Sequence, residues 1–212
     1  MFKNVSDIAA EILIDLKCIN FSPKKQFKLT SGKKSPVYCD CRRIISFPKE
    51  RKKLINLGIS KLKEKPKFNK ISNVAGGESA GIPFAAFIAQ KLNLPMTYIR
   101  KEKKKFGKNS QIEGLLSQKD NVLLAEDLMT DGGSKLKFLD AIDKLGAKIS
   151  GIFVIFNYGI IKDYFLFKKK KIDVISLTNW RHVLSVASRK KILNYDDVKI
   201  IESFLEKMKV KN

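Results

Sequence analysis

Histidine is nearly absent from this chain. His182 is the only one among 212 residues, and three cysteines, Cys18, Cys39 and Cys41, make an odd set. No Cys/His group with zinc spacing can be assembled from so few ligands, so no metal-ligating residue is assigned. Cys39 and Cys41 stand two apart on an expected strand and so face one side. Reduced thiols are the better reading, and they fit a reducing compartment. Long apolar runs are also missing: none approaches the ~18–20 residues that span a membrane. The opening "MFKNVSDIAAEILIDLK" places acids and polar residues inside its apolar pattern, as an amphipathic helix does and a signal peptide does not. The expected location is cytoplasmic, with no membrane partner. Acids are scarce beside bases, 21 Asp and Glu against 43 Lys and Arg, for a net charge of +22. Such a charge suits polyanions. Yet the bases are spread along the chain, and only Arg42, Arg43, Arg51, Arg100, Arg181 and Arg189 are arginines. There is no zinc finger, no aromatic RNA-binding signature and no clear helix-turn-helix. A general lysine bias is the plainer explanation, and no specific nucleic-acid partner is expected.

What is present is a hydrophobic fraction of 44%, enough to fill the core of one domain over residues 1–212. Ser6 can cap a helix over residues 7–17, with Ile8, Ile12 and Leu16 on one face. "FKLTSGKKSPVYCD" reads as two short strands around a Ser-Gly turn, with Pro36 favouring an edge. Pro48 opens a second helix. From "ISNVAG" onward strands and helices alternate: "ESAGIPFAAFIAQKL" is a helix, "PMTYIR" a strand, "NVLLAEDL" a strand, "GSKLKFLDAIDKLG" a helix, and "KISGIFVIFNYG" and "IDVISL" strands. Two helices, "NWRHVLSVASRK" and "YDDVKIIESFLEKMKV", close the chain, and "KKKK" at 168–171 reads as a solvated connection. This alternation predicts an α/β fold with a mostly parallel central sheet flanked by helices. The continuous apolar runs "VLLA" and "GIFVIF" suit strands covered on both faces.

The stretch "VLLAEDLMTDGGSK", residues 122–135, carries the chemistry. Ligands of an open α/β sheet bind beyond the carboxyl ends of its strands. Glu126 and Asp127 fall there, on adjacent positions whose side chains point apart. The turn that follows supplies backbone N–H groups at a helix N-terminus. Gly132 and Gly133 let that backbone approach an anion, and Thr130 and Ser134 add hydroxyls. Acids beside an anion cradle suit a sugar phosphate, with carboxylates accepting from ribose hydroxyls and the turn holding a 5′-phosphate. The turn has neither G-x-x-x-x-G-K-[ST] nor G-x-G-x-x-G.

This stretch closely resembles the phosphoribosyl-diphosphate-binding motif of the type I phosphoribosyltransferases. Three further segments resemble the orotate phosphoribosyltransferases in the same order along the chain. They are "FKLTSGKKSPVYCDCRRIISFP" for the amino-terminal hood, "VAGGESAGIPFAAFIAQKLNLP" for the diphosphate loop and its helix, and "YIRKEKKKFGKNSQIEG" for the mobile catalytic loop. The resemblance implies the type I phosphoribosyltransferase fold with a small N-terminal hood, formed mainly by residues 1–47. It implies transfer of a phosphoribosyl group from 5-phospho-α-D-ribose 1-diphosphate to orotate, with Mg²⁺, in a homodimer with shared active sites. It further implies roles. Arg100, Lys101 and Lys104 meet the diphosphate, with Lys104 catalytic. Glu126 and Asp127 hold the ribose hydroxyls, with Asp127 also catalytic. Leu128, Met129, Thr130, Asp131, Gly132, Gly133 and Ser134 form the phosphate turn. Gly76, Gly77, Glu78, Ser79 and Ala80 bend round the diphosphate. Lys33, Lys34, Ser35, Val37 and Tyr38 enclose orotate.

The sequence departs from many relatives at three places. Phe106 stands where a histidine is common in the catalytic loop, with Lys105 or Lys108 available to compensate. Thr30 stands where the hood often has lysine, and Ser79-Ala80 precede Gly81-Ile82-Pro83 where Tyr-Lys is frequent. "VIFNYGII" holds no counterpart of the arginine that meets orotate in some relatives. Two rival readings remain: a phosphoribosyltransferase for another base, which the hood "TSGKKSPVYCD" argues against, and a regulator that keeps the fold but binds nucleic acid. The latter has little reason to keep "RKEKKKFG" as a lid.

Overall fold

A computed structural model describes residues 4–28, 32, 34–103, 111–130, 132–160 and 163–209. Helix α1 runs over Val5–Asp15. Its cap is Asn4 rather than Ser6: the extended Asn4 accepts the amide of Asp7 through its side chain at 2.8 Å. Asn and Ser cap equally well, and the earlier of the two starts the helix, leaving the Ser6 hydroxyl to accept from Lys61 Nζ at 3.2 Å. The helix stops short of residue 17 because Lys17 takes a left-handed φ of 54°.

The hood follows. Strands β1 (Ile19–Phe21), β2 (Phe27–Lys28), β3 (Lys34–Ser35) and β4 (Val37–Cys39) form two antiparallel ribbons, β1 with β4 and β2 with β3. A 3₁₀ turn over Cys41–Ser46 leads to α2 (Pro48–Lys63), with Pro48 in its first turn. Cys39 ends its strand and Cys41 opens the turn, and both thiols are buried with the sulfurs 3.5 Å apart. Burial pushes the Cys18 thiol up to about 12, and the contact with Cys39, with burial added to it, raises Cys41.

The remaining strands are β5 (Asn73–Gly77), β6 (Met96–Ile99), β7 (Ile112–Glu113), β8 (Asn121–Met129), β9 (Lys148–Asn157), β10 (Tyr164–Phe167) and β11 (Lys170–Asn179). They build one sheet in the order β10-β11-β9-β8-β5-β6-β7, parallel from β11 to β6 and antiparallel at both edges. Helices α3 (Gly81–Leu92), α4 (Gly133–Leu145), α5 (Trp180–Arg189) and α6 (Tyr195–Lys209) complete the chain. One face of the sheet packs Leu123, Phe153 and Leu177 against α1, α2, α3 and α5; the other packs Leu124, Ile152 and Val154 against Phe138, Leu139 and Ile142 of α4. The fold is the expected α/β one.

Three strands escaped the sequence reading: β1, β7 and β10. In β10, Phe165 and Phe167 are buried, but the outward positions are filled by Tyr164 and Leu166, so no polar alternation marks the strand. The lysine run at 168–171 is not a free connection. It turns the β10–β11 hairpin, with Lys168 and Lys169 at positive φ, and Lys168 binds Asp140 and Asp143 of α4 at 3.0 and 2.7 Å.

The first and fifth helices are pinned through one carboxylate. Asp7 Oδ1 meets His182 Nδ1 at 2.7 Å and Oδ2 meets Arg189 Nη2 at 2.9 Å. Burial pushes this carboxyl upward, but the bonds from His182 and Arg189 outweigh it and hold it below its ordinary value of 3.8. A depressed folded-state value contributes stability above the unfolded value and loses it as pH falls through the folded one. Asp7→Asn is therefore expected to cost about 2 kcal/mol near neutrality. Urea unfolding of both proteins from pH 7 to pH 3 should show that gap closing toward acid; a gap independent of pH would contradict the pinning role.

Candidate active site

The order of the sheet reverses between β5 and β8. From β5 the chain crosses to β6 on one side, then returns to place β8 on the other. Such a switch point opens a crevice at the strand ends. Register fixes what lines it: Gly76 of β5 lies opposite Ala125 of β8, so Gly77 and Glu126 are neighbours across the gap. Glu126 and Asp127 are both buried, 5% and 7% exposed.

Their side chains part as the strand alternation requires. Glu126 turns toward α4, where its Oε2 binds Lys135 Nζ at 2.9 Å. Burial pushes the Glu126 carboxyl upward, while the charge and hydrogen bond of Lys135 oppose that shift. Its other oxygen, Oε1, is buried without a hydrogen-bond partner among the described residues. Asp127 accepts the amide of Leu128 at 2.8 Å; burial raises its carboxyl, and the amide, Lys135 and Arg42 pull it down.

The glycines of β5 and α3 make room for these acids. A Cβ on Gly77 would stand 1.8 Å from Glu126 Oε1 and 2.4 Å from the Phe138 ring. One on Gly81 would stand 2.4 Å from the Ala125 carbonyl and 2.6 Å from the same Oε1. Gly77, one of the residues expected to bend round a diphosphate, therefore also packs over a buried carboxylate, together with Gly81 at the start of α3. Glu78 ties this loop to the next strand: its amide donates to Ile99 O at 2.9 Å, and its Oε2 accepts from the amide of Lys101 at 2.8 Å.

Beyond β8 the chain turns into α4. Gly132 takes a φ of 81°, and Gly133 begins the helix. Ser134 Oγ accepts from Lys135 Nζ at 3.1 Å. The side chain of Met129 is in the core, fully buried, so only its backbone faces the turn; Leu128 is half-buried. Arg100 and Lys101 lie just past β6. The Arg100 amide donates to Gln111 O at 2.8 Å, the Gln111 side chain returns to Arg100 O at 2.9 Å, and the guanidinium lies 3.7 Å from Glu113. These bonds close the neck of the segment 104–110. Lys104, Lys105, Phe106 and Lys108 belong to that segment and lie outside the described residues, as do Thr30, Lys33 and Asp131. In the hood, Ser35 and Val37 are buried, the Ser35 hydroxyl donating to Val37 O at 2.6 Å, while Lys34 and Tyr38 are exposed.

The phosphoribosyl transferase domain matches residues 49–185. An orotate phosphoribosyltransferase of Rhizobium rhizogenes is 41% identical over 202 residues, 95% of this chain and 87% of that protein. Another, from Cereibacter sphaeroides, is 40% identical over 204 residues, 96% of this chain and 88% of that one. The chain belongs to the phosphoribosyltransferase family. Among solved structures, Leishmania donovani UMP synthase superposes with a TM-score of 0.78 at 24% identity, over 97% of this chain and 43% of that one. The orotate phosphoribosyltransferase of Aeropyrum pernix gives 0.69 at 24% identity, over 87% and 99%. The type I phosphoribosyltransferase fold is thus the architecture here, with its small strands at the N-terminus.

Within this phosphoribosyltransferase, two side chains went unread in the sequence. Lys135 falls on the buried stripe of α4 with Phe138, Leu139 and Ile142. A lysine at an apolar-face position signals a buried counter-charge, and that signal was there to find. Arg42, held by Asp40 at 2.8 Å, contributes to the electrostatics of Asp127 from the hood side; nothing in its spacing announced this.

The fit around Gly77 gives a stability prediction. Gly77→Ala must displace Glu126 or Phe138, and overpacking a tight core costs about 1–3 kcal/mol. Each kcal/mol lowers the thermal midpoint of a chain this long by roughly 2–4 °C. Calorimetry should show the drop; an unchanged midpoint would mean that the crevice has slack.

Proposed function

We propose that this chain transfers the 5-phosphoribosyl group from 5-phospho-α-D-ribose 1-diphosphate to orotate, giving orotidine 5′-phosphate and diphosphate in the synthesis of UMP. The observation that carries the reading is the pair of buried acids near the end of β8 at the switch point, with the glycine turn into α4 a few residues on, in a chain whose relatives named above are orotate phosphoribosyltransferases. Residues 1–212 act as one catalytic domain, with residues 1–47 as its hood, in the cytosol.

The chemistry follows from charge. Breaking the bond between C1 and the diphosphate leaves a cationic, oxocarbenium-like ribose and a highly charged leaving group. The protein must neutralise the second and keep water from the first. Asp127 accepts from a ribose hydroxyl, and Glu126 contributes its free oxygen to the same ring. Thr130, Asp131, Gly132, Gly133 and Ser134 hold the 5′-phosphate at the N-terminus of α4, where backbone N–H groups and the helix dipole favour an anion. Gly76, Gly77, Glu78, Ser79 and Ala80 follow the diphosphate, with Arg100 and Lys101 supplying positive charge beside it. Lys34 and Tyr38 close over orotate from the hood. Lys104 completes the charge on the leaving group. In a homodimer this lysine serves the neighbouring subunit.

Among the described residues no three acids, histidines or cysteines are grouped to hold a metal ion. One oxygen of Glu126, Oε2, is already taken by Lys135. That arrangement suits a Mg²⁺ ion that arrives on the substrate's own diphosphate and ribose oxygens. When bound, it neutralises the leaving group.

The test is spectroscopic. Orotate absorbance should fall only when phosphoribosyl diphosphate and Mg²⁺ are both present, and adenine, hypoxanthine and uracil should be poor replacements because they lack the carboxylate. Asp127→Asn should lower kcat/KM roughly tenfold to a hundredfold, the worth of one charge-assisted hydrogen bond, with the fold intact. Equal turnover of uracil defeats the choice of base, and wild-type kinetics in Asp127→Asn defeats the role of that acid.

A further inference from the structure

Lys135 is a buried cation with no part in the reaction as set out above. Its side chain is 7% exposed and that of Glu126 is 6% exposed, so the pair is held out of water at the floor of the crevice. Burying two charges is costly, and mutual attraction recovers that cost only when geometry and extra hydrogen bonds are good. Here the ammonium makes both bonds available to it among the described residues: 2.9 Å to Glu126 Oε2 and 3.1 Å to Ser134 Oγ. It therefore joins the end of β8 to the phosphate turn. The consequence falls on the other carboxylate oxygen. With Oε2 fixed, Oε1 is driven under the glycine loop, 1.8 Å from where a Gly77 Cβ would stand and 2.6 Å from where a Gly81 Cβ would stand. It is left there buried and, among the described residues, without a hydrogen-bond partner. An unsatisfied buried carboxylate oxygen in a native fold points to a donor that arrives later.

We propose that Lys135 is a positioning residue for the phosphoribosyl donor: by tethering one oxygen of Glu126 it aims the other at a ribose hydroxyl. The proposal rests on the functional reading above and adds a residue to it. Lys135 acts through Glu126 and does not itself touch substrate. Its effect is confined to the donor, because the base binds from the hood side.

The groups that face Glu126 define what happens without the lysine. They are Lys135 from α4, Asp127 beside it on β8, and Lys101 from beyond β6. Removing Lys135 leaves burial and Asp127 favouring the protonated acid, opposed by Lys101 alone. A protonated Glu126 is a poorer acceptor, so the variant should regain activity as pH rises and the acid ionises.

The experiment uses the full-length protein and four forms: wild type, Lys135→Met, Glu126→Gln and the double variant. KM for phosphoribosyl diphosphate should rise about tenfold or more in Lys135→Met, the range for a charged hydrogen bond, with KM for orotate unchanged. Its kcat/KM should climb with rising pH in excess of wild type, and that climb should vanish in the double variant. Glu126→Gln should itself raise the donor KM about tenfold, and adding Lys135→Met should cost less than about threefold more, because two residues acting as one unit are not additive. A folded Lys135→Met with a wild-type donor KM overturns the proposal, as does an equal loss from Lys135→Met in both backgrounds. If Lys135→Met alone does not fold, the double variant leaves no unpaired charge in the core and the comparison with Glu126→Gln decides. A wild-type donor KM in Glu126→Gln, or a tenfold further loss in the double variant, then overturns it. Calorimetric titration with phosphoribosyl diphosphate alone gives the same order of affinities without a base. Failure of wild type to consume orotate would therefore sink the functional reading while leaving the Lys135 comparison intact.

Discussion

Two carboxylates on adjacent residues, both out of water, are the constraint around which this crevice is built. An isolated buried carboxylate is too costly to stay ionised without compensation. Glu126 and Asp127 solve the problem differently. Glu126 takes a buried ammonium at 2.9 Å, and Asp127 takes a backbone amide at 2.8 Å with cations further off. Each solution dictates sequence elsewhere. The first requires a lysine on the apolar stripe of α4 and glycines at 77 and 81, where any side chain would collide with the carboxylate. The second leaves Asp127 open to the hood side, where the 3₁₀ turn and Arg42 stand.

The topology explains why this expense is incurred at one place. Parallel strands covered on both faces leave only their ends for chemistry. The reversal between β5 and β8 separates the following loops and leaves a gap there, with the loop after β5 on one bank and the glycine turn after β8 on the other. The buried acids Glu126 and Asp127 lie on β8 at this gap. The lysine excess fits the same picture only in part. Arg100 and Lys101 stand at the mouth of the crevice, whereas Lys168 and Lys190 serve helix-to-strand and helix-to-helix contacts. Positive charge here is spent on packing as well as on anions.

How much was legible follows the strength of each local signal. The central strands were readable because "VLLA" and "GIFVIF" are continuous apolar runs, and the turn from β8 into α4 because two glycines break the chain before an apolar-periodic stretch. Strand β10 was hidden because Tyr164 and Leu166 occupy its outward face, erasing the alternation. The lysine run at 168–171 looked like a solvated link since nothing in its composition shows that Asp140 and Asp143 wait across the hairpin. The cap of α1 moved by two residues because both Asn4 and Ser6 are competent. Lys135 was hidden for a different reason: it directly follows the glycine and hydroxyl residues of the turn, and only its helical spacing to Phe138, Leu139 and Ile142 marks it as buried.

The account's central claim is that the acids and the turn of β8–α4 hold one ligand between them. The most direct measurement is a crystal structure of the protein with phosphoribosyl diphosphate and Mg²⁺ bound. The account predicts the 5′-phosphate against the backbone of residues 130–134, a ribose hydroxyl on Asp127, and the diphosphate along residues 76–80 toward Lys101. A donor bound with its phosphate away from this turn, or with Asp127 facing no hydroxyl, would contradict it.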